Sequence, residues 1–182
     1  MKKIKVIFLD IDGVMKSTAS TIRNGVDMMH PEHVEALNYI IEKTDAKIVV
    51  TSTYRMMYSV KELKELFEEF GISGEHVISK TVTIAKNGYL RGHEIQQWLD
   101  GFTDSIKTRF NKNMMVDKYV ILDDDTDMLP EQRMSFVKTS NNYGLTHLEA
   151  LQAVHKLNGV PKAKLKIPSI FRQIKEHKLK GI

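Results

Sequence analysis

Cysteine is absent from all 182 residues, which removes disulfides, thiolate nucleophiles, Cys-ligated zinc and iron–sulfur clusters. Carboxylate, hydroxyl, imidazole and amine chemistry is left. A reducing compartment is compatible with that composition, and a cytoplasmic location is the expectation. No apolar run is long enough to span a bilayer. The opening MKKIKVIFLDIDG starts basic and then apolar, but Asp10 and Asp12 interrupt it before a signal-peptide core could form. Neither Gly-x-Gly-x-x-Gly nor Gly-x-x-x-x-Gly-Lys-Ser/Thr occurs, so a dinucleotide fold or a P-loop kinase would lack its phosphate cradle. Internal repeats and low-complexity segments are also missing.

What remains is a composition of 42% hydrophobic and 27% charged residues, neither disordered nor fibrous. A chain of this length suits one domain that buries about two thirds of its unfolded surface. The one plausible linker begins near Gly159-Val160-Pro161, which divides the sequence into a domain over 1–158 and a basic tail or helix over 159–182. The net charge of +4 is unevenly spread. Residues 162–182 carry seven Lys or Arg against Glu176 alone, a balance of +6, so residues 1–161 are at −2. A solvated terminal helix is the plainer reading of that tail, and contact with phosphate backbones is the alternative.

Ile4 to Leu9 reads as a buried strand, rich in branched residues and ending at Asp10-Ile11-Asp12-Gly13. A polar stretch through Asn24-Gly25 reads as a hairpin or flap. Pro31 then opens a helix to about Lys43. Lys47 to Val50 is a second strand, ending in Thr51-Ser52-Thr53-Tyr54-Arg55. Val60 to Phe70 is an amphipathic helix closed by Gly71. A short strand is expected at Val77-Ile78 and a helix after Arg91 through Trp98 and Leu99. Tyr119 to Leu122 is a third clear strand, ending in Asp123-Asp124-Asp125; Phe136-Val137 is a shorter one, followed by a helix from Leu145 to Leu157. Strands alternating with helices predict an α/β fold with a parallel sheet covered on both faces, and ligands bind at the carboxyl ends of such strands.

Two of those strand ends are acidic. A parallel sheet could bring Asp10 and Asp12 to Asp123 and Asp124, although more than a hundred residues separate the pairs. Carboxylates so close raise one another's pKa unless a cation sits among them. Hard oxygen ligands select Mg²⁺, which commonly bridges protein carboxylates to a substrate phosphate. Acidic loop ends that cap helices or face solvent are the bland alternative, and Asp125 fits it.

Phe8-Leu9-Asp10-Ile11-Asp12-Gly13-Val14 resembles the first motif of the haloacid-dehalogenase-like (HAD) hydrolases. The resemblance implies a three-layer, Rossmann-like fold with Asp10 as nucleophile and Asp12 as general acid and base. The chemistry is sound: one carboxylate forms a covalent aspartyl-phosphate while its neighbour protonates the leaving oxygen and then activates water. It also implies that the backbone carbonyl of Asp12 joins the side chains of Asp10 and Asp124 around Mg²⁺. Ile48-Val49-Val50-Thr51-Ser52 looks like the second motif, whose hydroxyl binds the transferring phosphoryl group; Thr51 is preferred, with Ser52 beside it. Val120-Ile121-Leu122-Asp123-Asp124 resembles the fourth motif, and Asp127 is a candidate for orienting the metal's water shell. The third motif is a lone cation. Arg91 is preferred because it precedes the helix leading to the last acidic strand, and Lys80 and Lys86 are alternatives. Arg55 is a second phosphate-binding candidate, since its five-donor fork suits phosphate, with a solvated helix start as the alternative.

The resemblance covers about residues 4–155 and is closest to the HAD domain of Swiss-army-knife RNA repair proteins. Thr51-Ser52-Thr53-Tyr54-Arg55, Arg91-Gly92-x-Glu94-Ile95-x-x-Trp98-Leu99, Leu122-Asp123-Asp124-Asp125 and Tyr143-Gly144-Leu145-Thr146 carry it. Trp98 and Leu99 read as core rather than as base-stacking residues, and His93 and His147 as helix-start or surface histidines rather than ligands. The intervals 14–47 and 55–90 are too short for the cap domain found in many relatives. An open site favours phosphate on a polynucleotide end or another macromolecule over a small sugar phosphate. The expected activity is therefore Mg²⁺-dependent phosphomonoester hydrolysis, with a terminal 3′-phosphate of RNA or DNA as substrate and no membrane partner. A nucleotide or protein phosphatase is the alternative enzyme, and a non-catalytic phosphate-binding module the alternative outside enzymes. No feature of the sequence specifies an oligomeric state.

Overall fold

The branched residues of Lys2–Leu9 form the middle strand (β1) of the sheet. In the computed structural model, which describes residues 2–25, 28–84, 90–104 and 114–159, β1 is followed by α1 (Thr18–Asn24), α2 (Pro31–Thr44) and β2 (Lys47–Val50). Next come α3 (Tyr54–Met57), α4 (Val60–Glu69), β3 (Val77–Lys80) and α5 (Arg91–Asp104), then β4 (Met114–Asp123), β5 (Phe136–Lys138) and α6 (His147–Asn158). Single 3₁₀ turns at Gly74–His76 and Pro130–Gln132 lead into β3 and β5.

The sheet runs β3-β2-β1-β4-β5, with every pairing parallel. Successive side chains of a strand face opposite ways, so β1 serves two cores. Ile7 and Leu9 join Leu37, Ile40, Leu63, Phe67 and Val154 under α2, α4 and α6. Val6 and Phe8 face α5, where Ile95 and Trp98 pack with Ile121 and Met128. The Trp98 ring meets Phe8 edge-on at 5.3 Å and its indole N–H donates to Ser79 Oγ at 3.0 Å, so it is a core residue as expected. The result is a three-layer α/β/α architecture.

Strands are added outward from β1 to β3, and the chain then returns to place β4 on the other side of β1. That reversal makes the carboxyl ends of β1 and β4 the topological switch point, the position where open α/β sheets bind ligands. The ladder continues past the strands. Asp10 N–H donates to Leu122 O at 3.0 Å, Thr51 N–H to Leu9 O at 2.9 Å and Thr139 N–H to Asp123 O at 2.9 Å. Backbone hydrogen bonds thus fix the first residue beyond β1, β2 and β5.

Local signals set most boundaries. Ser59 and Glu62 form a capping box at α4, as Thr146 and Glu149 do at α6, and Pro31 occupies the first turn of α2. One expectation is corrected: the polar stretch before Gly25 is a helix, α1, neither hairpin nor flap. It has no apolar periodicity to reveal it. Ser17 caps it by accepting from Ser20 N–H, Gly25 ends it at φ 69°, and Asn141 and Asn142 carbonyls accept from Thr18 and Ala19. Beneath it, the buried His33 donates from Nδ1 to Leu145 O at 3.0 Å, leaving Nε2 to accept from Ser17 Oγ at 3.0 Å. Burial lowers the His33 pKa and keeps the imidazole neutral, as that acceptor role requires.

Among the described residues, the intervals after Asp12 and after Thr51 hold only these short elements and no separate cap domain. No described helix is long and apolar enough to cross a membrane. Lys86 and the basic tail lie outside the described residues.

Candidate active site

Asp10 is the first residue past β1 and Asp123 the last of β4, and the residues before them, Leu9 and Leu122, are direct partners in the ladder. Oxygens of Asp10, Asp123 and Asp124 lie within 4.8 Å of one another. Gly13 makes that approach possible. It has φ +74°, and a Cβ there would fall 2.2 Å from Asp124 Cγ, so any other residue would push the loop off the carboxylate. Thr139 Oγ1 donates to Gly13 O at 2.9 Å and holds the turn from β5.

Arg91, the first residue of α5, reaches into the triad. Its NH1 is 2.8 Å from Asp10 Oδ1 and 3.1 Å from Asp123 Oδ2, and its backbone N–H donates to Asp127 Oδ2 at 3.0 Å. Gly92 N–H donates to Asp127 O at 3.1 Å, and Gln132 Nε2 returns a bond to Gly92 O at 2.8 Å. The loop after β4 therefore grips the start of α5. Asp127 acts here on the helix, with Oδ1 left buried and without a hydrogen-bond partner. Of the two candidate third-motif cations among the described residues, Arg91 is the one at the carboxylates. Lys80 donates instead to the carbonyls of Arg55 and Tyr58, at 2.7 and 2.6 Å.

One guanidinium does not neutralise three carboxylates. Burial raises the Asp10 pKa against the opposing pull of Arg91, and burial followed by the Asp10 charge raises that of Asp124. Asp123 is pushed up to about 7, first by burial and then by Asp10, although Arg91 opposes both. For Arg91, burial favours the neutral form, but Asp123 and Asp10 outweigh it and hold the cation firmly charged. Asp123 Oδ1 accepts from Asp125 N–H at 2.9 Å, whereas Oδ2 is buried and ion-paired but receives no hydrogen bond. A crowded, all-oxygen donor set with excess negative charge and an unfilled buried oxygen fits a hard divalent cation. Asp10, Asp123 and Asp124 are the residues that could hold it.

These shifts predict a pH dependence. Asp123 holds its proton to higher pH folded than unfolded, so between about pH 4 and 7 the folded state binds more protons and its stability falls as pH rises. The loss from this group is at most about 4 kcal/mol. His33, with its lowered pKa, works in the opposite direction. The measurement is therefore the difference in urea midpoint between wild type and Asp123→Asn, from pH 5 to 8 with a chelator. The asparagine variant should gain on wild type as pH rises, and saturating Mg²⁺ should reverse the trend; a gap that stays constant with pH contradicts it.

Asp12 stands apart from the triad. Its side chain is 59% exposed, and Lys16 Nζ lies 3.2 Å from Oδ1. Lys16 is itself buried and also donates to the Tyr54 hydroxyl at 3.0 Å. Thr51 and Ser52 follow β2 at the same edge, both fully buried, and neither hydroxyl has a hydrogen-bond partner. Thr81, after β3, is a third such hydroxyl. Unpaired buried hydroxyls are costly, and at a strand edge they are ready for an incoming anion's oxygens.

Arg55, the second phosphate-binding candidate, is buried and ion-paired, so its alternative, a solvated helix start, does not hold. Its NH2 donates to Glu94 Oε2 at 2.6 Å, its NH1 donates to Thr51 O, and both side chains of the ion pair are more than nine-tenths buried. The buried carboxylate offsets the guanidinium charge, while Nε is left buried without a hydrogen-bond partner. Sequence reasoning named Glu94 without a role and did not reach Lys16 or Thr81. Nothing in their spacing marks them, since each is defined by a tertiary partner or by the lack of one. His93 and His147 open α5 and α6 as helix-start residues, His93 Nδ1 accepting from Leu90 N–H at 3.1 Å.

The family model for the HAD domain in Swiss Army Knife RNA repair proteins matches residues 6–150, which takes in β1 through the first turn of α6. The chain belongs to this HAD family. It is thus a phosphatase-type hydrolase by family, with a Rossmann-like HAD fold. Searches of curated proteins and of solved structures found no significant match.

Proposed function

We propose that this HAD protein is a Mg²⁺-dependent phosphomonoester hydrolase that works through an aspartyl-phosphate on Asp10 and removes a 3′-phosphate from RNA or DNA ends. The observation that carries the reading is the Asp10–Asp123–Asp124 triad, two of its members buried and Asp124 partly so, with Arg91 bound to Asp10 at the sheet's switch point. A carboxylate oxygen of Asp10 attacks phosphorus, and the bond to the ester oxygen breaks. Asp12 gives that oxygen its proton and so becomes the base for the second half. A water then loses a proton to Asp12 and attacks the phosphoryl group on Asp10, releasing inorganic phosphate and restoring both carboxyl groups. The exposure of Asp12 suits it to this work, since the leaving group must depart towards solvent.

A divalent cation held by Asp10, Asp123 and Asp124, with the Asp12 carbonyl, would offset the repulsion between an anionic nucleophile and an anionic phosphate. Arg91 holds Asp10 in place and supplies fixed positive charge beside the nucleophile. The Thr51 hydroxyl, with Ser52 as its neighbour, donates to the phosphoryl oxygens from a buried position. The substrate class is supported by the family's RNA-repair setting and by the lack of a cap among the described residues.

The test compares 3′-phosphorylated and 5′-phosphorylated oligonucleotides with mononucleotides, a phosphopeptide and a generic aryl phosphate, with and without Mg²⁺. Release from the 3′ end that needs the metal is expected. Efficient mononucleotide or phosphopeptide turnover without 3′-end release overturns the substrate; no turnover of any ester overturns the hydrolase.

A further inference from the structure

We propose that the buried Arg55–Glu94 ion pair is a positioning device, locking the end of β2 to the first turn of α5 so that Thr51 and Arg91 converge on Asp10. The inference rests on the hydrolase reading above and gives Arg55 and Glu94 roles that do not involve touching the substrate.

Both residues are taken almost wholly out of water. A buried ion pair is weak evidence for stability, because desolvating two charges consumes most of their attraction and an apolar pair often serves as well. What the charged pair provides is direction. A guanidinium fork fixes the angles of several acceptors at once. Arg55 uses one arm on Glu94 and another on the Thr51 carbonyl, which belongs to the residue offering the unpaired hydroxyl. Glu94 uses its second oxygen, Oε1, to accept from Ile84 N–H at 3.0 Å, tying in the segment after β3.

Glu94 lies three residues after Arg91 on α5, so the two share a face of the helix. Arg91 NH1 also approaches the Thr51 carbonyl, at 3.5 Å. That carbonyl is therefore common to both arginines. The start of α5 is held on one side by Asp127, from the loop after β4, and on the other by Arg55, from α3 just after β2. Loosening either grip moves Arg91 relative to Asp10. Displacements of about 1 Å in catalytic groups commonly cost about 100-fold in rate.

The experiment measures kcat and KM for an aryl phosphate with Mg²⁺, and the Ki of inorganic phosphate, in Arg55→Met, Arg55→Lys, Glu94→Gln and the double variant Arg55→Met/Glu94→Gln. Each single loss should lower kcat by about 10- to 100-fold with KM and Ki changed by less than about threefold. The double variant should be no worse than the worse single one, and Arg55→Lys should recover part of kcat. A rise of about tenfold or more in Ki for Arg55→Met, with Glu94→Gln unaffected, would show direct phosphate contact and overturn the proposal. Lowered melting temperature with unchanged kcat would reduce the pair to a structural role and also overturn it. Should Arg55→Met fail to fold, the near-isosteric Glu94→Gln decides alone by the same kcat criterion. Absence of turnover in the wild type overturns the hydrolase reading instead. The clamp is then read by NMR: exchange of the Arg91 guanidinium protons should speed up by about tenfold in Glu94→Gln, and unchanged exchange overturns it.

Discussion

Asp10→Asn should lower phosphomonoester turnover by about four orders of magnitude, because the amide cannot form the covalent phosphoryl intermediate and no other group stands in its place. Thr51 and Ser52 follow the neighbouring strand β2 and have no base hydrogen-bonded to them. The same substitution should have the opposite effect on stability when metal is removed. Burial and neighbouring charge raise the Asp10 pKa despite Arg91, so at pH 8 its ionised form is a cost to the folded state that asparagine does not incur. In a chelator, Asp10→Asn should therefore unfold at higher urea than wild type, while saturating Mg²⁺ should favour wild type. Steady-state kinetics and paired urea titrations check both halves. An inactive variant that is also less stable in chelator would point to general damage, and retained turnover would remove Asp10 as nucleophile.

The acidic strand ends were legible because they combine two local signals, an apolar run and an abrupt carboxylate pair, and a parallel sheet needs no further information to bring them together. Arg91 was legible through its place at a helix start. What the sequence does not display is which groups spend their charge on one another. Arg55 and Lys80 look like equivalent phosphate cations on paper, yet one is matched by Glu94 and the other caps the carbonyls of Arg55 and Tyr58. Those pairings depend on how α3 and α5 pack over the sheet, and no periodicity reports that. Helix α1 escaped for a related reason, being held by Ser17, by His33 beneath it and by two asparagine carbonyls rather than by an apolar stripe.

The fate of Lys80 sharpens the expectation for Arg91. With Lys80 committed to backbone carbonyls, Arg91 is the cation paired with both Asp10 and Asp123, so Arg91→Met takes that charge away from the three carboxylates. Removing one partner of a buried charge cluster typically costs about 3–5 kcal/mol, and in chelator at pH 8 the variant should lose stability on that scale. Lowering the pH should restore much of it, since protonation of Asp123, already near neutrality in the wild type, relieves the repulsion. Mg²⁺ should also restore stability, because a divalent cation supplies the missing charge, but it should not restore rate. Turnover at saturating Mg²⁺ is expected to stay about 100- to 1000-fold down, since the fixed donors on Asp10 and beside the Thr51 carbonyl are gone. Arg91→Lys should separate the two effects: a lysine replaces the charge and so the stability, yet its single ammonium cannot span Asp10, Asp123 and the Thr51 carbonyl in a fixed plane. Full activity in the lysine variant would mean that charge alone is required at this position, and a fully stable methionine variant in chelator would mean that the carboxylates are protonated throughout.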